Sequence, residues 1–279
     1  MSKTEKTEIS DLRRYMEQSL AEHYTQVITF KDREDSFVSL YAHKDTGKKM
    51  LLRRSGNRND GVYRALRGKR LCNLPMVLEV CSEEAHLLVL EEYIEGRTLD
   101  KILDSGQLTS AQAAAYTIDL CHALEELHSL GIVHRDIKPA NVMITPENRA
   151  VLLDLSIARE ISSDQQDTRS LGTVGYAAPE QYGVAQSNRA TDLYALGVLL
   201  NTMITRRAPG SGYSPRTHSP HCAKGHGYAN LQTVQICRCY GSRPASLRTD
   251  YKNQEDARLS RRALLYFCLK IVTPGTISA

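Results

Sequence analysis

The sequence has no long hydrophobic run. No segment approaches the roughly 18 consecutive apolar residues that a membrane-spanning helix needs, so no membrane association is expected. The first ten residues, MSKTEKTEIS, carry charges of both signs and lack the apolar core of a secretory signal peptide. No internal repeat is visible. The composition, 41% hydrophobic and 24% charged, therefore predicts an ordinary globular protein of the cytoplasm.

The cysteines do not show the regular spacing of a disulfide framework. The seven cysteines are an odd number without regular spacing, so we expect reduced thiols rather than disulfides. Six histidines and cysteines near the C-terminal end suggest a zinc site: His218, His221, Cys222, His226, Cys237 and Cys239. Their spacing differs from that of a recognised four-ligand site, so zinc is the less favoured alternative.

Acidic residues are scarce at the C-terminal end. Residues 206–279 hold 12 Lys and Arg against 3 Asp and Glu, whereas residues 1–205 hold 24 and 29. A basic tail of this kind can bind nucleic acid or an anionic surface. Because net charge alone does not make a nucleic-acid site, a solvated tail is the favoured interpretation.

The first part of the chain is rich in short segments typical of β-strands. An amphipathic helix precedes them, with Ile9, Leu12, Met16 and Leu20 at helical spacing. The turn KDTG, which ends at Gly47, joins two strands as a hairpin loop would. The predicted elements are helices at residues 8–24 and 61–71 and strands at residues 27–30, 37–43, 48–54, 76–82 and 86–94. We expect a small, mostly antiparallel sheet with one helix.

The second part is predominantly helical. Thr109 and Gln112 match a capping box before an amphipathic run that Gly131 ends. A polar loop then leads to strands at residues 142–144 and 150–155 and a helix at residues 192–204. That helix is apolar on almost every face, which predicts burial. The predicted class is α+β, with a sheet-rich lobe and a helix-rich lobe joined near residues 91–96.

Four motifs follow one another in the helical part: HRDIKPAN (134–141), LLDLS (152–156), AAPE (177–180) and DLYALG (192–197). Their order and spacing resemble the catalytic loop, D-F-G motif, A-P-E motif and supporting helix of protein kinases, most closely bacterial serine/threonine kinases. The resemblance covers about residues 25–205. It implies a two-lobed kinase fold with an N-lobe at about 25–92, a C-lobe at about 93–205, an N-terminal extension (1–24) and an atypical basic tail (206–279).

The resemblance assigns chemical roles to four residues. Asp136 is expected to orient the proton of the substrate hydroxyl, and Lys138 to contact the transferring phosphate. Asn141 and Asp154 are hard oxygen donors suited to Mg²⁺, and the predicted hairpin between them brings them together. ATP and Mg²⁺ are the implied cofactors, and a protein serine or threonine is the implied substrate.

Two more residues are expected to support this loop by resemblance. Thr173, in GTVGYAAPE, corresponds to the threonine that contacts the catalytic aspartate and lysine. Arg135 corresponds to the arginine that receives a phosphate or an acid from the activation loop. The candidate phosphorylation sites in that loop are Ser162, Ser163, Thr168 and Ser170.

The nucleotide-binding half departs from the family pattern. Counting back from Val38 places Lys31, Arg33 and Ser36 at the three positions of the glycine-rich loop. None of them allows the backbone to approach phosphate as glycine does. Lys31 and Arg33 are alternative phosphate contacts, and a solvated turn is the favoured interpretation.

The phosphate-binding lysine of the family is also replaced. Arg53 stands at its position in MLLR, with Lys49 and Arg54 as weaker candidates, and residues 54–78 contain no glutamate to pair with it. Glu91, expected at the back of the adenine pocket, is the alternative acid for Arg53, unless its side chain points to solvent. The backbone of Glu92 and Ile94 is expected to bind adenine.

The chain beyond Arg206 departs furthest from the family. Turn-forming residues dominate there, and only residues 256–271 show a helical period. We expect an incomplete C-lobe, followed by residues that are translated out of the original reading frame. A divergent basic tail with its own partner is the alternative.

The predicted function is ATP-dependent phosphorylation of serine or threonine in a protein. The alternative is a pseudokinase, a binding or scaffolding module without turnover, which the missing glycines and Arg53 favour. A small-molecule phosphotransferase is disfavoured, because AAPE and GTVGY suit a polypeptide docking surface.

Overall fold

The computed structural model describes residues 18–33, 36–56, 60–82, 86–106, 108–161, 172–182, 186–206 and 209. The N-terminal extension is described from residue 18, and residues 18–23 are helical. The predicted phosphorylation sites, the zinc alternative and the helix at residues 256–271 lie outside the described residues. No described helix is long and apolar enough to cross a lipid bilayer.

Five antiparallel strands form the N-lobe sheet, in the order β1-β2-β3-β5-β4. The strands are β1 (Tyr24–Arg33), β2 (Ser36–His43), β3 (Lys49–Ser55), β4 (Val77–Ser82) and β5 (Leu87–Glu92). Gly47 adopts a φ of 68° in the β2–β3 turn, where its amide donates to the carbonyl of His43 at 2.9 Å. The predicted strands and the predicted hairpin are confirmed.

The two faces of this sheet pack against different partners. One face carries a small apolar cluster that includes Met50, Leu52 and Leu90, and Leu20 from the N-terminal helical turn covers it. On the other side, Val80 and Val89 join the main core together with helix α1 (Asp60–Leu66). Alternation along the strands therefore leaves α1 and the helical lobe on one side of the sheet.

The prediction of a helix at residues 61–71 was wrong at its C-terminal end. Helix α1 ends at Leu66, and Arg67 forms an isolated bridge with Val77. Gly68 follows with a φ of 71°, and its amide donates to the carbonyl of Val77 at 2.8 Å. The early end of the helix lets the chain turn directly towards β4.

The helical lobe follows the linker at residues 93–96. Its elements are β6 (Arg97–Thr98), α2 (Leu99–Asp104), α3 (Ser110–Ser129), β7 (Ile132–Val133), β8 (Val142–Ile144), β9 (Ala150–Leu152), β10 (Arg159–Glu160) and α4 (Arg189–Thr205). The predicted capping box is present, because Thr109 Oγ1 accepts from the amide of Gln112 at 3.2 Å. Helix α4 packs against α3 and is buried along most of its length, as predicted. The fold is α+β with a sheet lobe and a helical lobe.

Candidate active site

The loop formed by residues 134–141, here called the HRD loop, is anchored to helix α4 by one buried carboxylate. The Asp192 side chain is fully buried and accepts hydrogen bonds from the amides of His134 (2.9 Å) and Arg135 (2.8 Å). His128 Nε2, at the end of α3, lies 2.8 Å from the same carboxylate. Three partners compensate the burial of this charge. They fix the backbone on which the catalytic candidates lie.

Neighbouring segments complete the support of the HRD loop. Gln181, directly after AAPE, donates to the carbonyl of Arg135 at 2.7 Å and is 2% exposed. Arg135 has a φ of 68°, and its Nε donates to the carbonyl of Ile157 at 2.7 Å. The guanidinium therefore lies next to the segment that follows Asp154. Its expected phosphate partner lies outside the described residues.

Asp136, Lys138 and Thr173 form a closed triangle of hydrogen bonds. Lys138 Nζ lies 2.7 Å from Asp136 Oδ2 and 2.9 Å from Thr173 Oγ1. The Thr173 hydroxyl donates to Asp136 Oδ1 at 2.7 Å, which closes the triangle. Because Thr173 precedes AAPE, these bonds tie the segment expected to dock a peptide to the catalytic candidates. The triangle therefore holds one carboxylate and one ammonium group within hydrogen-bonding distance of each other.

The two metal-ligand candidates lie at the base of the β8–β9 hairpin. The amide of Leu153 donates to the carbonyl of Asn141 at 2.8 Å, so the residue before Asp154 is bonded to Asn141. Asn141 Nδ2 donates to Asp136 O and Oδ2, both at 2.9 Å, and this directs the amide oxygen away from Asp136. The hairpin thus brings one amide and one carboxylate close to the triangle.

Asp154 has a strained backbone and a charge that is held in the ionised form. Its φ is 66°, a left-handed conformation that is uncommon outside glycine. Burial favours the neutral acid, but the Arg53 guanidinium and hydrogen bonds from Ser156 outweigh it and hold the pKa of Asp154 below its ordinary value. Asp154 therefore remains an anion at neutral pH. The described part of the chain contains no group of three or more His, Cys, Asp or Glu that could hold a metal.

Arg53 bridges the sheet and the metal-ligand candidate. Its Nη2 and Nε lie 3.0 and 3.3 Å from Glu91 Oε1, and its Nη1 lies 3.2 Å from Asp154 Oδ1. Glu91 is 6% exposed, so its side chain does not point to solvent. Burial disfavours the charged guanidinium, but Glu91 and Asp154 outweigh it and raise the pKa of Arg53. The expected contact between Arg53 and Glu91 is thus present.

Register explains why only Arg53 reaches this position. On β3, Arg53 lies opposite Val89 of β5, which makes Glu91 its diagonal neighbour on the same face. Lys49 lies at the exposed end of β3, 3.9 Å from Glu95. Arg54 points to the other face, where its guanidinium carbon lies 5.7 Å from the centroid of the Phe37 ring. Both alternatives are therefore separated from Asp154.

Helix α1 contributes a tyrosine at the place where the family resemblance leads one to expect a glutamate. Tyr63 is 2% exposed, and its hydroxyl has no hydrogen-bond partner in the described part of the chain. Burial raises the pKa of Tyr63, with smaller effects from Arg53, Glu91 and Asp154, so the ring lies near all three charges. Sequence reasoning missed this residue. The apolar setting of VYRAL gives no sign that a polar atom points inwards.

The three positions counted for the glycine-rich loop lie on paired strands. Lys31 lies opposite Val38, and Arg33 lies opposite Ser36, so the β1–β2 ladder continues almost to the tip of the hairpin. Lys31 and Arg33 are exposed, and Ser36 is half-buried. The ladder has register shifts between Gln26 and Ile28 and between Thr29 and Lys31, and its pairing engages part of the amides of the hairpin. The hairpin offers side-chain cations at the tip rather than a glycine cradle.

The adenine-binding candidates lie where β5 runs into the linker. The amide of Glu92 donates to the carbonyl of Met76 at 2.9 Å, which fixes the end of β5 against the chain before β4. Ile94 follows in the linker, and its amide makes no hydrogen bond to another described residue.

Comparisons with known proteins identify the family. The family model for the protein kinase domain matches residues 26–265 of the chain, beyond the boundary that we draw at residue 205. A probable serine/threonine-protein kinase of Streptomyces coelicolor is 40% identical over 132 residues, 46% of this chain and 20% of that protein. One of Clostridium perfringens is 38% identical over 148 residues, 52% and 22% of the two chains. The chain thus spans about a fifth of the length of these curated relatives.

Proposed function

Because the chain belongs to the protein kinase domain family, we propose that it transfers the γ-phosphate of ATP to the hydroxyl of a serine or threonine in a protein. The closed triangle of Asp136, Lys138 and Thr173 supports this proposal most directly. Its carboxylate already accepts a hydrogen bond from a threonine hydroxyl, which is the chemical group that the substrate presents. A lysine two residues after the aspartate is also the pattern of serine/threonine kinases.

In this mechanism, Asp136 orients the substrate hydroxyl and accepts its proton as the phosphate is transferred. Lys138 stabilises negative charge on the transferring phosphate, since its ammonium group is held beside Asp136. Thr173 keeps both groups in place. Phosphoryl transfer depends on positioning and charge neutralisation more than on covalent help, which matches a site made of fixed polar groups.

The donor set of Asn141 and Asp154 fits Mg²⁺. Magnesium bound to a nucleotide usually takes one or two protein oxygens, with phosphate oxygens and water completing its shell. Asp154 supplies an ionised carboxylate, and Asn141 supplies an amide oxygen that is directed away from Asp136. Magnesium at this position, when bound, neutralises charge on the phosphate oxygens.

On the nucleotide side, Arg53 takes the place of the family lysine. Its planar group is held by Glu91 on β5, so it is fixed by the sheet itself. We assign adenine binding to the backbone of Glu92 and Ile94, where β5 runs into the linker. Lys31 and Arg33 supply positive charge near the tip of the β1–β2 hairpin, where the glycines of the family are missing.

A pseudokinase is the second candidate function. It is favoured by the paired β1–β2 hairpin, which lacks a glycine cradle, and by Arg53, whose nitrogens are engaged by two carboxylates. Such a protein binds a nucleotide or a partner without transferring phosphate. Nucleotide binding and transfer must therefore be measured separately.

Transfer of radiolabelled phosphate from ATP to a generic basic protein, and to the chain itself, tests the proposal. We expect Asp136→Asn and Asp154→Ala to lower the rate by about 100-fold or more, because they remove the proton acceptor and a metal ligand. Asp45→Asn, in the exposed β2–β3 turn, is the matched control and should not change the rate. Nucleotide binding without any transfer by the parent protein would favour the pseudokinase. Equal rates in Asp136→Asn and the parent would refute the assigned mechanism.

A further inference from the structure

Tyr63 buries a hydroxyl that has no partner among the described residues. Buried hydroxyls in native proteins are almost always hydrogen-bonded, since an unpaired one costs about 1–3 kcal/mol. Tyr116 of helix α3 illustrates the usual case, because it is 1% exposed and its hydroxyl donates to Asn148. The unpaired state of Tyr63 therefore requires an explanation.

The position of Tyr63 points to the nucleotide site. Helix α1 packs against β4 and contacts β10, the strand that follows Asp154 and its loop. Tyr63 and Leu155 belong to the same core cluster, and the phenol interacts electrostatically with Arg53 and Asp154. The buried hydroxyl of Tyr63 thus belongs to a side chain that interacts with both the guanidinium and the metal-ligand candidate.

The hydrogen bonds of Arg53 couple it to the metal-ligand candidate. Its Nη1 donates to Asp154 Oδ1, the carboxylate that we assign to magnesium. If a bound cation took up Asp154 Oδ1, Nη1 would lose that acceptor in a largely buried environment. The side chain of Arg53 is only 16% exposed, so water cannot fully replace that acceptor.

We propose that the Tyr63 hydroxyl is the alternative acceptor that receives Arg53 Nη1 when Asp154 binds magnesium. This inference rests on the proposed function, because it requires a magnesium nucleotide. A phenol oxygen that makes no hydrogen bond in the unliganded protein has its acceptor capacity unused. Tyr63 is thus a positioning residue: it holds the guanidinium against Glu91 and the phosphates while Asp154 turns to the metal. Helix α1 takes part in the site through a neutral hydroxyl instead of an acid.

Tyr63→Phe and Tyr116→Phe in the full chain form a matched pair of buried substitutions. Without ligand, Tyr63→Phe should keep or raise the Tm, because it removes an unpaired hydroxyl, whereas Tyr116→Phe should lower it. In calorimetric titrations, Tyr63→Phe should weaken binding of Mg²⁺·ADP by about 10-fold and leave binding of ADP in EDTA unchanged. Tyr116→Phe should leave both affinities unchanged. Steady-state rates should show a higher KM for ATP with kcat retained.

Each contrary outcome has a distinct meaning. Equal affinity of the parent and Tyr63→Phe for Mg²⁺·ADP overturns this inference and leaves the proposed function intact. A lower Tm of unliganded Tyr63→Phe shows that the hydroxyl already has a partner, and this also overturns it. Failure of the parent itself to bind Mg²⁺·ADP overturns both the inference and the ATP-dependent function.

Discussion

At position 53, an arginine in place of a lysine changes the shape of the cation as well as its size. A lysine ammonium is a point charge, whereas the guanidinium presents five donors in a rigid plane. The structure uses this fork, because Arg53 contacts Glu91 through two nitrogens and Asp154 through the third. The acid partner comes from β5, in the same sheet, and not from helix α1. The cation is fixed by strand register.

Replacing Arg53 should therefore weaken nucleotide binding, and the loss should depend on the replacement. Arg53→Ala leaves Glu91 buried without its partner, and we expect the affinity for Mg²⁺·ATP to fall at least 10-fold with some loss of stability. Arg53→Lys keeps the charge but cannot span both acids, so an intermediate loss is expected. Lys49→Ala and Arg54→Ala are the controls and should change the affinity less. Calorimetric titration measures all four variants, and parent-like affinity in Arg53→Ala would contradict this role.

Site residues could be predicted from the sequence where they belong to a motif. They could not be predicted where their hydrogen-bond partner comes from a distant part of the chain. The sequence motif pointed to Asp136, Lys138 and Thr173, and the structure places them in contact. Nothing in the sequence paired His128 with Asp192, because these residues are 64 positions apart and meet only when α3 packs against α4. The only sequence feature that could have indicated a role for Gln181 is its place directly after AAPE. Long-range polar contacts escape periodicity, which describes one element at a time.

At the scale of elements, the connection between the lobes depends on Gly96 in the linker. Gly96 has a φ of 155°, and a Cβ built on it would collide with the backbone carbonyl of Ile144 at the end of β8. The linker therefore passes the β6–β8–β9 sheet at a distance that only glycine permits. This close approach fixes the position of β5 and the linker relative to the hairpin that carries Asp154.

Gly96→Ala should destabilise the protein more than an ordinary glycine replacement. Gly106, after α2, also has a positive φ (68°) but open space around the position of a Cβ, so Gly106→Ala is the matched control. The control should lose roughly 1–2 kcal/mol from the left-handed conformation alone. Gly96→Ala adds the collision with Ile144 and should lose clearly more. Denaturant unfolding of both variants measures the difference, and equal losses would show that the linker can shift away from β8.

Elements could be predicted well from local patterns, and their ends less well. The capping box of Thr109 and Gln112 gave the start of α3 correctly, because all of its partners lie within one helical turn. Helix α1 ended five residues before the predicted position. Its end depends on the bridge between Arg67 and Val77, which a helical pattern cannot indicate. Strand order likewise depends on β5 lying between β3 and β4, a tertiary choice.

At the scale of the whole molecule, the chain changes character near Arg206. The excess of acidic residues in the first 205 residues gives way to 12 basic against 3 acidic residues after that point. Arg206 itself ends α4 with a φ of 56°, the left-handed conformation that glycine usually supplies after a helix. The resemblance to kinases predicts a G-x-x-P-F-like sequence at this place. The residue present there does not suit its conformation, although its side chain donates to the carbonyl of Leu108 at 3.0 Å.

We expect the coding DNA to show that the residues from about 206 onward are translated out of their original frame. A shifted frame yields an arbitrary mixture of residue types, which accounts together for the basic excess, the loss of helical period and the unfavourable Arg206. Glu180 would then lack the later arginine that pairs with it in kinases; in the structure it accepts a hydrogen bond from Thr191 at 2.7 Å. The family match up to residue 265 supports the competing view, a divergent native lobe.

Reading the DNA around the Arg206 codon in the two other frames separates these views. One of those frames should continue with amphipathic helices and a D-P-x-x-R-like segment, because α4 needs apolar partners for the side that the native lobe would cover. A protein that has lost those partners should be marginally stable, and restoring the frame should raise its Tm and reduce aggregation. Stop codons or patternless sequence in both frames would reject the shift. The tail would then be a native basic segment that departs from the family.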